Sequence, residues 1–263
     1  MEWIGTVESL WRYPVKSMRG EEMEEAFVGF AGIYGDRVYA FESSGAPKGF
    51  PYLTARELGT MLLCQPRFLD AARMEKPSNL EEAEAMAPGV TPRYPGAEEL
   101  ALDVEMPDGE RLDILAPELL ELLQQGVRAD HVLRLRRSHR AMTDCRPVSL
   151  FSLQTVQQLG DEVGVRLDKR RFRANIYLDL KSGKGFDEDL LLGRTIRIGD
   201  KATIAVLDRD PRCKMITLDP ETAEPNPDII KQLAQSHETK AGVYGAVMVE
   251  GIIRKGDEIF VTN

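Results

Sequence analysis

Cysteine is the residue type in this sequence best suited to metal or redox chemistry, and it occurs three times, at Cys64, Cys145 and Cys213. The wide spacing and odd number allow neither a disulfide framework nor a C-x-x-C zinc or redox site, so reduced thiols are expected. Cys213 stands between Arg212 and Lys214, cations that favour the thiolate a metal requires, while Asp208 and Asp210 oppose them. Taken by itself, it also fits a buried small hydrophobe. Cations gather in two islands: Arg128 to Arg146 holds six arginines against Asp130 and Asp144, and Arg166 to Arg173 holds five bases against Asp168. Such runs are either solvated charged faces or an anion pocket, since the arginine fork matches phosphate geometry. His131, His139 and His237 lie in no metal-ligand spacing and read as surface or structural histidines. Gly183-Lys184 fails as a phosphate loop, because Leu178 and Gly185 occupy the positions that need a glycine and a hydroxyl. Gly29, Gly32 and Gly35 are three apart, which is not a dinucleotide fingerprint.

The elements that must carry these residues are mostly strands. Period-two alternation predicts strands over Trp3 to Leu10, Met23 to Val28, Arg37 to Phe41, Leu100 to Met106, Arg111 to Leu115 and Val132 to Leu135. Further strands fit Ala174 to Leu180, Thr195 to Ile198, Ala202 to Leu207, Tyr244 to Val249 and Glu258 to Val261. Helices are fewer: Pro117 to Gln125 before Gly126, a Ser152-capped helix to Val163, and one opened by Asn226-Pro227-Asp228 with proline at the first helical position. Many strands with scattered helices indicate a mainly β, barrel-type fold and not alternating βαβ units. The segment from Lys76 to Gly96, rich in proline, acids and small residues, reads as a long exposed loop. The 263 residues, 43% hydrophobic and 29% charged, suit an ordinary folded protein of one large or two packed domains. A net charge of -9 argues against nucleic acid and anionic membrane as partners. With neither a membrane-length apolar run nor a signal-peptide pattern at the start, a cytoplasmic location is expected.

Motifs far apart in the chain then fall into one order. Tyr13-Pro14-Val15-Lys16-Ser17 is followed by Gly35-Asp36-Arg37; Phe172-Arg173-Ala174-Asn175-Ile176 comes next; Asp210-Pro211-Arg212-Cys213-Lys214 leads into Thr217-Leu218-Asp219-Pro220. Glu224-Pro225, Tyr244-Gly245 and Ile253-Arg254-Lys255-Gly256-Asp257 close the series. This set resembles the MOSC family over nearly the whole chain: an N-terminal β-barrel subdomain, drawn here as residues 1–115, and a MOSC domain over 116–263. Ala174 departs from the family's F-R-P-N-I pattern, which has proline there.

The likeness is greatest to the amidoxime-reducing component and its bacterial relatives. It implies a molybdenum-cofactor-dependent oxidoreductase that reduces N-hydroxylated or N-oxygenated small molecules, the alternative being a noncatalytic carrier of the cofactor or of sulfur. Pyridoxal phosphate is a further ligand that the resemblance admits. The molybdopterin cofactor needs cations and hydroxyls at its phosphate and a soft ligand at its metal. By position in the family pattern, Lys16, Ser17 and Arg37 fall at the phosphate, Arg173 beside the pterin and Cys213 at the molybdenum, with Asn175 and Arg212 also expected to bind the cofactor. Asp144-Cys145-Arg146 falls on a polar loop near the cofactor, with Cys145 and Arg146 replacing small polar residues. Val247 replaces an aromatic that some relatives have, which would widen the pocket. No flavin or nicotinamide fingerprint is present, and three cysteines are too few to ligate an iron-sulfur cluster once Cys213 holds metal. A separate electron donor of ferredoxin or flavodoxin type, with its reductase, is therefore expected.

Overall fold

The structure, a computed structural model, describes residues 1–96 and 98–262. The chain divides into two compact units, each drawn from separate stretches of sequence.

The first unit holds residues 1–12, 21–33 and 143–263. Its centre is a closed barrel of seven strands: β1 (Glu2–Arg12), β2 (Val148–Ser152), β3 (Ile176–Leu180), β4 (Thr195–Ile198), β5 (Ala202–Pro211), β6 (Lys240–Val249) and β7 (Glu258–Val261). Around the barrel the order is β3-β2-β6-β5-β4-β7-β1, and pairing of β1 with β3 closes it. All pairs are antiparallel except β2 with β3. Alternation explains the inward face: Ala202, Ile204 and Val206 of β5 are buried while Thr203 and Ala205 between them are half-buried. Inward residues from every strand, among them Val7, Leu150, Leu178, Ile196, Val243 and Ile259, make one apolar core. Val247 is part of that core.

Closure demands one very close backbone approach. A Cβ on Gly5 would lie 2.1 Å from the carbonyl oxygen of Asp179, so only glycine fits on β1 where it crosses β3. Four α-helices occur among the described residues: α1 (Leu80–Ala85), α2 (Pro117–Gln125), α3 (Leu153–Val163) and α4 (Asp228–Ser236). The buried Glu188 carboxylate accepts hydrogen bonds from the Ser152 and Thr155 hydroxyls, both at 2.7 Å, which anchors the start of α3 against the barrel. Helix α4 begins one residue later than expected: Pro227 is the cap, and the Asn226 side chain accepts from the Asp228 amide at 3.1 Å.

The second unit holds residues 13–20 and 34–142. Strand Tyr39–Ser43 pairs with Leu133–Arg137, and Gln65–Phe68, Leu102–Glu105 and Arg111–Asp113 form a three-stranded sheet. Phe41, Leu53, Met61, Met74 and Leu100 fill its interior.

Two expectations need correcting. Met23 to Val28 is not one strand: Glu21–Met23 pairs with β1, whereas Glu25–Gly29 pairs with Gly251–Arg254. Nor is 76–96 all loop, since it contains α1, whose Leu80 and Ala83 are buried. Asn79 holds this segment together, its amide donating to the Thr91 carbonyl at 3.1 Å and its oxygen accepting from the Arg93 amide at 2.9 Å. Among the described residues, no helix is long and apolar enough to cross a membrane.

Candidate functional site

Three residues singled out by the sequence, Ser17, Arg37 and Arg173, have left-handed backbone, with φ of 67°, 47° and 52°. Outside glycine this costs on the order of 1–3 kcal/mol per residue and concentrates where side chains must be aimed.

In the second unit, the Y-P-V-K-S and G-D-R segments are joined through a fully buried carboxylate. Asp36 accepts from the Tyr13 amide at 2.8 Å with one oxygen and forms an ion pair with the Arg37 guanidinium through the other. The Arg37 amide in turn donates to the Tyr13 carbonyl at 2.7 Å, and its guanidinium lies 4.8 Å from the Tyr13 ring centre. Lys16 is only 4% exposed. Its ammonium donates to the Met142 carbonyl at 2.9 Å and faces the rings of Phe50 and Tyr52 at 5.2 and 5.0 Å. The Met142 amide donates to the Arg37 carbonyl at 3.0 Å, so one residue links both cations. Lys16, Ser17 and Arg37 are thereby brought together, and the two cations are held inside the unit and not spread over its surface.

In the first unit, Cys213 follows the end of β5 with extended backbone and caps the 3-10 helix Lys214–Thr217. It is half-buried, and its thiol is free of any disulfide. The Arg212 fork points inward: Nε donates to the Ala241 carbonyl at 2.7 Å, Nη1 donates to the Phe172 carbonyl at 2.8 Å, and Nη2 pairs with Asp210 at 2.8 Å. Arg146 binds Asp208 through Nε and Nη2, both at 2.9 Å. The two aspartates near the cysteine are therefore each matched by an arginine. Asp144 and Cys145 are exposed on the loop that enters β2.

Arg173 ends the 3-10 helix Lys169–Phe172. Its neighbour Ala174 donates its amide hydrogen to the Tyr177 hydroxyl at 3.2 Å, a bond that the family's proline could not make. Asn175 is 1% exposed: its oxygen accepts from the Ser149 amide at 3.3 Å and hydroxyl at 3.1 Å, and its nitrogen donates to the Trp11 carbonyl at 3.2 Å. The T-x-D-P segment has a similar logic. Asp219 accepts from Arg171 at 2.6 Å with one oxygen and from the amides of Glu221 and Thr222, at 2.9 and 3.1 Å, with the other.

The second basic island is thus largely an internal ion-pair lattice. Lys169 holds Glu8 at 2.5 Å and the Ser9 hydroxyl at 2.7 Å, Arg170 holds Asp168 and Glu221 at 2.6 Å, and Arg171 holds Asp219. Arg134, Arg136, Arg137 and Arg140 of the first island are exposed.

Sequence reading quoted Asp36, Asp210 and Tyr244 within its motifs but gave none of them a place in the site. The Tyr244 phenol is hydrogen-bonded to Asp210, and burial, with the Asp210 and Asp144 carboxylates adding to it, pushes its pKa far above the ordinary tyrosine range. Its proton therefore stays in place at every ordinary pH. The signal that could have found them was their place inside the motifs. His131 and His237 pair with Glu57 and Glu162, both at 2.8 Å. Among the described residues, no group of three or more His, Cys, Asp or Glu is placed to hold a metal ion.

A family model described as the MOSC N-terminal beta barrel domain matches residues 4–115, and one described as the MOSC domain matches residues 137–260. Among solved structures, the YuaD protein of Bacillus subtilis is similar over 97% of this chain and 94% of its own, with a TM-score of 0.50 and 14% identity. That likeness is one of fold. YiiM of Geobacillus stearothermophilus shares 20% identity over 44% of this chain and 54% of its own, at a TM-score of 0.36. YiiM of Escherichia coli shares 16% over 45% and 55%, at 0.34. The search of curated proteins gave no match.

Proposed function

The chain belongs to the MOSC-domain family, and from that premise we propose that it binds molybdenum cofactor and reduces N-oxygenated small molecules. The observation that carries the reading is the donor set. Cys213 offers a single soft thiol at the end of a rigid barrel strand, with no cluster of further ligands among the described residues. One thiolate suits a metal that brings most of its ligands with it, as a dithiolene-bound metal does.

In this reading Cys213 is the metal ligand, and Lys16, Ser17 and Arg37 hold the terminal phosphate. Arg173 lies beside the pterin, its left-handed backbone setting the direction of its side chain. The Asp144-Cys145-Arg146 loop borders the same region, kept in place by the Arg146–Asp208 pair. When bound, the cofactor supplies two-electron chemistry, and the overall reaction turns a hydroxylamine, two electrons and two protons into an amine and water. The protein's part is to orient the cofactor and shape access to it. Electrons come from a separate ferredoxin- or flavodoxin-type donor with its reductase.

The test is metal and pterin analysis of the purified protein, then hydroxylamine reduction with reduced viologen. Molybdenum with turnover supports the proposal, and metal without turnover favours the carrier. Cys213→Ser should lose molybdenum and turnover while keeping the fold. Unchanged turnover in that variant rules out the ligand assignment.

A further inference from the structure

Arg212 stands immediately before the thiol, and its guanidinium reaches three other parts of the first unit. Nη1 holds the Phe172 carbonyl, the last before Arg173; Nε holds the Ala241 carbonyl at the start of β6; Nη2 meets the Asp210 carboxylate. Its amide donates to the Thr239 carbonyl at 2.8 Å. The guanidinium carbon sits 5.1 and 5.7 Å from the ring centres of Phe151 and Phe172, which are themselves stacked at 4.1 Å. Room for it depends on Gly242: a Cβ there would lie 2.9 Å from Nη2, and φ at that residue is +75°. The side chain is 8% exposed.

We propose that Arg212 is a positioning residue that fixes Cys213 relative to the Arg173 turn, and not a residue that touches the cofactor. A planar fork with several donors can serve three acceptors at once, whereas an ammonium on a flexible stem cannot hold the same three directions. One side chain therefore ties the segment that carries the thiol to the left-handed turn at Arg173. The proposal rests on the reading of Cys213 as the metal ligand.

The test is Arg212→Lys, which keeps the charge and the apolar stem but loses the fork. Three readouts separate positioning from simple stability. In cofactor-free protein, alkylation of Cys213 by iodoacetamide at fixed pH, followed on its peptide by mass spectrometry, should become several-fold faster. In loaded protein, the molybdenum(V) paramagnetic resonance spectrum should change, and kcat should fall by about 10²-fold with little change in substrate KM. The melting temperature should stay within a few degrees of wild type. Unchanged alkylation and an unchanged spectrum overturn the proposal, and so does a large loss of melting temperature in a folded variant, which would make the arginine a stability element. Should the lysine variant fail to fold, Asp210→Asn replaces it. That change keeps the arginine and both carbonyl contacts but loosens one arm, so Cys213 must again alkylate faster, and an unchanged rate overturns the proposal. If Cys213→Ser retains molybdenum, the functional reading fails, while the alkylation rate of the cofactor-free protein still decides the positioning role.

Discussion

Lys16 carries a charge in a place where charge is expensive, buried beside two aromatic faces with its ammonium on the Met142 carbonyl. A buried cation kept at such cost is expected to meet an anion. Lys16→Met retains the stem and removes the charge, so cofactor content should drop by about tenfold or more, while the melting temperature stays level or rises. Equal pterin content in variant and wild type would remove Lys16 from the phosphate site. The thiols differ as sharply. Burial, only partly offset by Arg19, pushes Cys64 up to about 11. Its peptide should stay unmodified by iodoacetamide at pH 8 in native protein, whereas exposed Cys145 reacts. At this scale the sequence marked Lys16, Arg37 and Cys213 as candidates, because they sit in local runs that can be read directly. It did not show their partners. Asp36, Met142 and Phe172 act through atoms brought near by folding, and two of those partners act through backbone carbonyls that no residue type reveals.

The single hydrogen-bonding side chain of Asn175 ties β1 to β2, so Asn175→Ala should leave the Ser149 and Trp11 groups short of partners. A loss of about 2 kcal/mol in chemical denaturation is expected. Ala174→Pro, which restores the family's residue, removes the amide donor to Tyr177 and should destabilise by about 1 kcal/mol; a stabilised variant would show that this bond adds nothing. The 3-10 helix Lys169–Phe172 gives a pH signature. Burial opposes ionisation of Asp168, but hydrogen bonds from Arg170 outweigh it and hold the carboxyl below 3.8. Stability from this pair is therefore complete above that pH and is lost as pH falls through the depressed value, so Asp168→Asn should flatten acid unfolding below 3.8. Strands with one inward face, such as β4 and β7, were legible to the residue. β2 was not, because all five of its residues are buried and no alternation remains to be seen. Helix α1 was hidden by the prolines and acids around it.

Across the molecule, Lys169, Arg170 and Arg171 are held in ion pairs, whereas Arg134, Arg137 and Arg140 are exposed and available to meet an acidic donor. Rising salt should slow turnover driven by a donor protein while viologen-driven turnover holds steady. If both respond alike, charge does not guide the donor. The barrel architecture was legible from strand number and motif order, but its strand neighbours were not, since nothing local tells β1 that it will lie between β3 and β7. That placement has a consequence for synthesis. Residues 2–12 are made long before their partners at 176–180 and 258–261. Until 176–180 is made, the strand has only the short Glu21–Met23 segment to pair with, and the barrel can close only once 258–261 has emerged. A strand exposing Val7 and Leu10 is a ready target for a chaperone, and Gly5→Ala, which blocks the crossing with Asp179, should prolong that association and lower the yield of folded protein.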